Sequence, residues 1–267
     1  IGNEMQTVYN DKTGYSKNLK LDCLDGTLID LYHDYYVIGA NRYIAKNSDD
    51  EYVLSQMTNS LINMGICIHE GMAVKLNGIH LESDLENQGC ILIDTTEDVV
   101  LQSAVNSVNE IITKNDEKSA IARTSDSDGI LYLDGNGKTY VTAGKMGAAI
   151  EGGNVTVSGG VLYANAKAGD GIGINANEGC FGNIQVTGGS IFASSQGGSS
   201  INCIDDDLYI RGGSVSAADL RSVYNVMENN DEGISCCEVT CHVVQTQMAN
   251  KNINLETISG AEYYKTD

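Results

Sequence analysis

The chain has 267 residues, of which 36 are acidic and 16 basic, giving a formal net charge of −20. This charge repels the phosphates of nucleic acids and anionic membrane surfaces, and no apolar run is long enough to span a bilayer, so we expect neither nucleic-acid binding nor membrane insertion. The absence of proline suits a fold in which nearly every backbone N–H donates to a strand ladder.

The N-terminal part of the chain begins polar and then turns to short strands. Residues 1–22 are polar and mixed in charge, and we interpret them as a cap or lead-in segment. Runs at 27–31 and 35–38 combine β-branched and aromatic residues between Asp and Gly, which predicts two strands. The polar stretch 49–60 fits either a short helix or a further strand.

A repeating cassette begins after residue 66, in which an apolar-x-apolar strand leads into a turn. Its weaker copies start at Val74, Val99 and Leu131. We expect Val239 to start a last copy of the same series. A third short apolar segment separates successive cassettes, at 90–93, 120–122, 148–150, 171–174, 201–204 and 223–226.

The clearest copies of the cassette are three phrases, at 154–164, 183–193 and 207–217. Each phrase has an apolar-x-apolar strand, a Gly-Gly pair and a second strand that ends in Ala. The glycine pairs begin at Gly159, Gly188 and Gly212, which are 29 and 24 residues apart. Self-similarity at such a period indicates a solenoid, and we predict that these three glycines lie over one another.

Three short strands per repeat describe one coil of a β-helix. A left-handed hexapeptide helix needs an apolar residue at every sixth position, and the sequence lacks this regularity. A β-sandwich would have strands at similar spacing, but it would not keep Gly-Gly at the same corner of each repeat. We therefore predict an all-β fold, a single-stranded right-handed parallel β-helix of about ten coils. The helix is expected to occupy 23–242, with irregular caps at 1–22 and 243–267 that cover the open sheet edges.

The three phrases, with Gly-Ile-Gly-Ile at 171–174 between them, resemble repeats of a family of secreted proteins. These are the Gly-Gly-repeat parallel β-helix proteins of Gram-positive anaerobes, many of them described as carbohydrate-binding. The resemblance is good over 130–217 and weaker over 66–110. It implies an extracellular or cell-surface bacterial protein whose partner is a polysaccharide or glycan, on a host or cell-wall surface. The motif consists of turn and core positions, so it predicts the coil more specifically than any ligand.

Aromatic residues at outward positions of the strands are the candidates for carbohydrate binding. Alternation of side chains along each strand assigns the outward positions of the second strand row to Thr142, Tyr163, Phe192 and Ser216. Those of the first row are Lys75, Val100, Tyr132, Thr156, Gln185 and Tyr209. Stacked aromatics over a flat sheet can hold the apolar face of a sugar ring, which predicts a carbohydrate site. The candidate residues are Tyr132, Tyr163, Phe192 and Tyr209. Stacking that only stabilises the coil is the alternative.

An acidic run at Asp205, Asp206 and Asp207 is the candidate metal site, because carboxylate oxygens are the ligands that calcium prefers. We expect calcium as the only cofactor and a protein without catalytic activity. Arg211 follows the acidic run, so an alternative is a site like that of a polysaccharide lyase or hydrolase. A third interpretation is a structural stalk or a protein-binding scaffold.

The eight cysteines contain no CxxC pair, which argues against a structural zinc site of the usual spacing. Cys67 and Cys90 are 23 residues apart, as are Cys180 and Cys203. Because this interval is close to one repeat, we expect each pair to stack in neighbouring coils. The pairs would be either buried free thiols or disulfides.

Overall fold

The computed structural model describes residues 8–46, 51–123, 128–173, 183–197, 200–203, 208–210, 212–217, 220–222 and 238–241. These residues form an all-β fold of three sheets, with one turn of 3-10 helix at Leu21–Cys23. Within this part of the chain, no helix has the length and apolar character needed to cross a membrane.

The strands are numbered in chain order and divide among the three sheets. Sheet 1 contains β1 (Asn10–Tyr15), β3 (Thr27–Leu31), β4 (Tyr35–Ile38), β5 (Asn41–Ala45), β7 (Met64–Ile68), β10 (Ile91–Ile93), β13 (Ile121–Arg123), β16 (Ile150–Glu151), β19 (Ile172–Gly173), β22 (Ile201–Cys203) and β25 (Leu220–Ser222). Sheet 2 contains β2 (Asn18–Lys20), β6 (Tyr52–Ser55), β8 (Ala73–Asn77), β11 (Val99–Ser103), β14 (Ile130–Gly135), β17 (Asn154–Val157), β20 (Ile184–Val186) and β23 (Leu208–Ile210). Sheet 3 contains β9 (His80–Ser83), β12 (Val108–Thr113), β15 (Lys138–Thr142), β18 (Val161–Ala166), β21 (Ser190–Ser195), β24 (Ser214–Ala217) and β26 (Glu238–Cys241).

From β7 to β25 the chain visits sheets 1, 2 and 3 in a fixed cyclic order. Each strand pairs in parallel with the strand three places later, so one circuit of the three sheets lies on the circuit before it. We call each circuit a coil. The predicted all-β fold with parallel sheets is confirmed, with the antiparallel pairs β3–β4 and β4–β5 in sheet 1 as the exceptions among the described strands, and the strand order is compatible with a β-helix or solenoid.

The two predicted strands at 27–31 and 35–38 correspond to β3 and β4, and the undecided stretch 49–60 contains strand β6. The polar segment 1–22 contributes two strands of its own, β1 at the end of sheet 1 and β2 at the end of sheet 2. The segment 243–267 lies outside the described residues.

The Gly-Gly pairs lie over one another, as the repeat predicts. The flanking strands pair in one register, with Val157 beside Val186, and the Ser190 N–H donates to the Gly160 carbonyl at 2.9 Å. The second glycine of each pair has a positive φ, +73° at Gly189. A Cβ on the first would collide with the coil below, 2.4 Å from the Ser158 oxygen at Gly188. Both positions therefore require glycine.

The core consists of like side chains stacked from coil to coil. On sheet 1, one column is isoleucine in seven successive strands, each at most 1% exposed, with these members in register: Ile29, Ile66, Ile91, Ile121, Ile150, Ile172 and Ile201. Such β-branched side chains pack well on a pleated surface because their χ1 angle is already restricted.

Three details of the predicted alignment were wrong. Val74 pairs with Leu101 rather than Val99, a shift of two residues that keeps the side chain inward. Lys75 accordingly pairs with Gln102, not with Val100. The strand containing Val239 pairs with β24 in sheet 3 and does not continue the first-strand series of sheet 2.

The last of the short apolar segments also differs from its predicted place. It was expected at 223–226, which lies outside the described residues. The strand that the structure places in sheet 1 is β25, which ends at Ser222.

The spacing of Cys67 and Cys90 does not place them side by side. Cys67 pairs with Leu92, because the interval between these two strands is 25 residues and not 23. Both thiols are free and buried, and the Cys90 thiol donates to the Ile112 carbonyl at 2.7 Å. Cys180 lies outside the described residues, so the second pair stays a prediction.

Candidate functional site

Three aromatic rings form a stacked column on the outer face of sheet 3. Tyr140, Tyr163 and Phe192 occupy the same register position in β15, β18 and β21. The Tyr140 and Tyr163 ring centroids are 4.4 Å apart with planes 4° from parallel. The Tyr163 and Phe192 centroids are 4.8 Å apart at 12°. We call these three residues the aromatic column. The predicted stacking of Tyr163 on Phe192 is therefore present.

The rings of the aromatic column cover one another's faces. Because the planes are nearly parallel and successive, both faces of Tyr163 are covered, by Tyr140 on one side and Phe192 on the other. Among the described residues, the outer faces of the two end rings have no aromatic neighbour. Phe192 is 41% exposed, and the next residue in its register is Ser216. Within the described part of the chain, this serine ends the row of rings.

Polar side chains border the exposed end of the aromatic column on both sides. Two residues further along each strand, the Ser194 hydroxyl donates to the Asn165 amide oxygen at 2.7 Å. Two residues earlier, the Ser214 hydroxyl donates to the Ser190 hydroxyl at 3.0 Å. An apolar ring face flanked by hydroxyl and amide groups is the usual composition of a site that binds a sugar ring.

The opposite end of the aromatic column is charged. In the register of Tyr140, the preceding coils carry Glu110 and then His80. The His80 Nδ1 lies 3.4 Å from the Glu110 Oε2. The two ends of the column therefore differ, with the Glu110 carboxylate and the His80 imidazole at one end and serine and asparagine side chains beside Phe192 at the other.

Tyr132 and Tyr209 lie on sheet 2, away from the aromatic column. They share one register column, with Thr156 and Gln185 between them. Three strand spacings separate the two tyrosines, about 14 Å, so their rings do not stack on each other. Thr156, predicted to face outward, is only 7% exposed. The four candidate residues thus divide between two faces of the molecule.

Tyr140 was missed by the sequence reasoning, which placed Thr142 in the row of Tyr163. The structure pairs Thr142 with Asn165 instead. The turn before the strand contained a signal for Tyr140. Gly137 occupies the position in its coil that Gly160 occupies in the next, and Tyr140 and Tyr163 are each the third residue after these glycines.

The predicted calcium ligands Asp205, Asp206 and Asp207 lie outside the described residues, and so does Arg211. The calcium site and the lyase-like alternative stay predictions.

A small cavity lies between sheets 1, 2 and 3 inside the coil. This cavity has about 20 Å³ and is lined in part by Leu101, Ser103, Leu133 and Thr139. Such a volume holds about one water molecule. A sugar ring is therefore too large for this cavity.

Comparison of the chain with protein-family models, with curated proteins and with solved structures finds no match.

Proposed function

We propose that the protein is an extracellular or cell-surface carbohydrate-binding or adhesive module without catalytic activity. The supporting observation is the exposed Phe192 side chain at the end of the aromatic column, with polar groups on both sides. One sugar ring would lie against Phe192 above Ser216, with its hydroxyls directed at Ser194 and Asn165. The rest of the column holds Phe192 in place.

The proposed ligand is a neutral glycan. A formal charge of −20 disfavours the approach of polyanionic polysaccharides unless a cation intervenes. Calcium at Asp205–Asp207 is proposed as such a cation, on the strength of three consecutive carboxylates. A melting temperature that is the same in calcium and in EDTA would remove this part of the proposal.

We further propose that the coil is right-handed, single-stranded and continues to about ten coils. The strand order supports a single winding chain, since each coil follows directly from the last. Connections between parallel strands of one sheet are right-handed in about 98% of cases, which supports a right-handed winding of the coil. An experimental structure with left-handed crossovers would contradict it.

The test of carbohydrate binding combines a glycan array with four variants. The array carries neutral and acidic oligosaccharides and is read with calcium and with EDTA. Phe192→Ala removes the open ring, and Ser216→Tyr fills the space beside it without removing any aromatic residue. Tyr132→Ala reports on the face of sheet 2. Met146→Ala is the control, because Met146 is 61% exposed and lies outside both faces.

We expect Phe192→Ala and Ser216→Tyr to weaken binding at least tenfold, about 1.4 kcal/mol, and Met146→Ala to leave it unchanged. Circular dichroism of each variant checks that the fold is retained. If Tyr132→Ala alone loses glycan binding, the site is on sheet 2, where Tyr132 and Tyr209 would be the binding residues.

The competing function is a structural stalk or protein-binding scaffold. The observation that favours it is that the rings of the aromatic column cover one another, as they do when stacking only stabilises a coil. Absence of binding to every glycan by the folded protein, with a lower melting temperature in Tyr163→Ala, would support the scaffold.

A further inference from the structure

A second cluster of polar side chains lies on the outer face of sheet 1, far along the chain from the aromatic column. Asp30 of β3 pairs with Cys67 of β7, and His69 follows directly after β7. The His69 N–H donates to the Leu31 carbonyl at 3.1 Å, which continues the ladder. The carboxylate, thiol and imidazole ligand atoms of Asp30, Cys67 and His69 all lie within 4.8 Å of one another.

The imidazole of His69 is held on three sides. Its Nε2 lies 2.7 Å from Asp30 Oδ1, and its Nδ1 lies 3.4 Å from Asp94 Oδ2. The Tyr32 ring stacks on the imidazole with centroids 4.7 Å apart and planes 8° from parallel. These contacts fix the direction in which each ring nitrogen points.

We propose that Asp30, Cys67 and His69 bind a divalent transition-metal ion of the zinc class, with Asp94 orienting the imidazole. Zinc takes sulfur, nitrogen and carboxylate ligands in tetrahedral sites. At zinc–ligand distances of about 2.0–2.3 Å, tetrahedral ligand atoms are about 3.5 Å apart. Binding would therefore lengthen the 2.7 Å separation of His69 and Asp30 by about 1 Å and shorten any separation near 4.8 Å by a similar amount, both within the reach of side-chain rotation.

The position of Asp94 matches the surroundings of a metal-bound histidine. Such a histidine usually donates its second ring N–H to a carboxylate, which fixes its tautomer. In this cluster one imidazole nitrogen faces Asp30, near Cys67, and the other faces Asp94. The metal would lie between the His69 Nε2 and Asp30 Oδ1 atoms.

Burial and ligand type favour a zinc-like ion over calcium. Cys67 is 4% exposed, whereas the side chains of His69 and Asp30 are 21% and 29% exposed, so the site opens to solvent on one side. A fourth ligand such as water can enter there. Calcium prefers six to eight oxygen ligands, which a thiol and an imidazole do not supply.

The experiment titrates Co²⁺ into the full-length protein after removal of metals with EDTA and reduction of its thiols. Thiolate bound to Co²⁺ gives a charge-transfer absorption in the near ultraviolet that carboxylates do not give. The variants are Cys67→Ser and His69→Gln. The matched controls are Cys23→Ser, at an exposed free thiol, and His80→Gln, at a histidine beside a single carboxylate.

We expect a charge-transfer band that saturates at one Co²⁺ per chain and is displaced by Zn²⁺ but not by Ca²⁺. Both site variants should lose the band or weaken binding at least tenfold, and both controls should retain it. Zn²⁺ should also raise the melting temperature of the wild type, because it binds only the folded site, and should not raise that of His69→Gln. A band that persists in folded Cys67→Ser, or no band in the wild type, would overturn the proposal.

Discussion

At the scale of the residue, the corners of the coil are the positions with the least freedom to vary. Gly189 has φ +73°, and a Cβ placed on it would lie 2.7 Å from the carbonyl carbon of Gly159 in the coil below. A side chain at this position would destabilise the folded state in two ways. It would have to adopt a left-handed backbone conformation, and it would collide with backbone atoms of the coil below that cannot move aside.

Gly189→Ala should therefore lower the free energy of unfolding by about 2–4 kcal/mol. Gly152→Ala is the matched control, because a Cβ at Gly152 meets Arg123 Cβ and Val155 Cγ2 at 3.5 and 3.8 Å, which is ordinary contact. Urea denaturation of both variants measures the difference. Equal effects of the two substitutions would show that the stacked corner carries no special strain.

The thiol of Cys90 should be inert in the folded protein. Burial raises its pKa to about 12, so the reactive thiolate is scarce at pH 8, and the sulfur has no exposed surface. We expect iodoacetamide at pH 8 to modify the exposed Cys23 and to leave Cys90 unmodified until the protein is unfolded. Mass spectrometry of proteolytic peptides measures the extent at each site. Equal rates at Cys23 and Cys90 in the native protein would contradict this burial.

At the scale of the element, each strand has one face toward the core and one toward solvent, and β12 offers a direct comparison. Ile111 is fully buried, and its neighbour Ile112 is half-buried on the outer face. Ile111→Ala should cost about 2–5 kcal/mol, and Ile112→Ala clearly less, since no closed cavity forms at the surface. Thermal and chemical denaturation of the two variants test this. A larger effect at Ile112 would mean that the strand faces are reversed.

Alternation along a strand predicts which side chains face inward but leaves the register uncertain by two residues. A slip of two keeps every apolar side chain inward, so pairing Val74 with Val99 looked as good as pairing it with Leu101. The same two-residue error assigned Thr142, and not Tyr140, to the row of Tyr163. Where the Gly-Gly corner was present to anchor the alignment, Tyr163 and Phe192 were placed correctly.

The cluster of Asp30, Cys67 and His69 could not be predicted from the repeat. Asp30 and Cys67 are paired in register although 37 residues separate them, an interval longer than any in the predicted series. The antiparallel strands β4 and β5 and the strand β6 lie between them in the chain. Without a glycine corner in this part of the chain, the sequence carried no signal for that register.

At the scale of the whole molecule, the most extensive contacts between the described strands join each coil to the next. Stability in such an array is close to a sum of terms within each coil and between adjacent coils. A substitution in one coil should therefore lower the stability of that coil and its neighbours, and the effect should decrease along the axis. A substitution in the core of a globular domain would affect the whole domain.

Hydrogen exchange should report this locality. In Gly189→Ala we expect faster amide exchange in peptides from 155–217, around the altered corner, and unchanged exchange in peptides from 27–93. Zn²⁺ should protect peptides from 27–93 only, if it binds beside His69. Exchange that changes uniformly over the chain in Gly189→Ala would indicate a single cooperative unit instead.

Because the register from one Gly-Gly pair to the next is fixed, this molecule can be lengthened only by whole repeats. Val155 and Ile184 are 29 residues apart and occupy equivalent places in adjacent coils. Duplicating residues 155–183 would thus insert one whole turn and give the row of rings a second copy of Tyr163. An insertion of half that size would place every later strand in the wrong sheet.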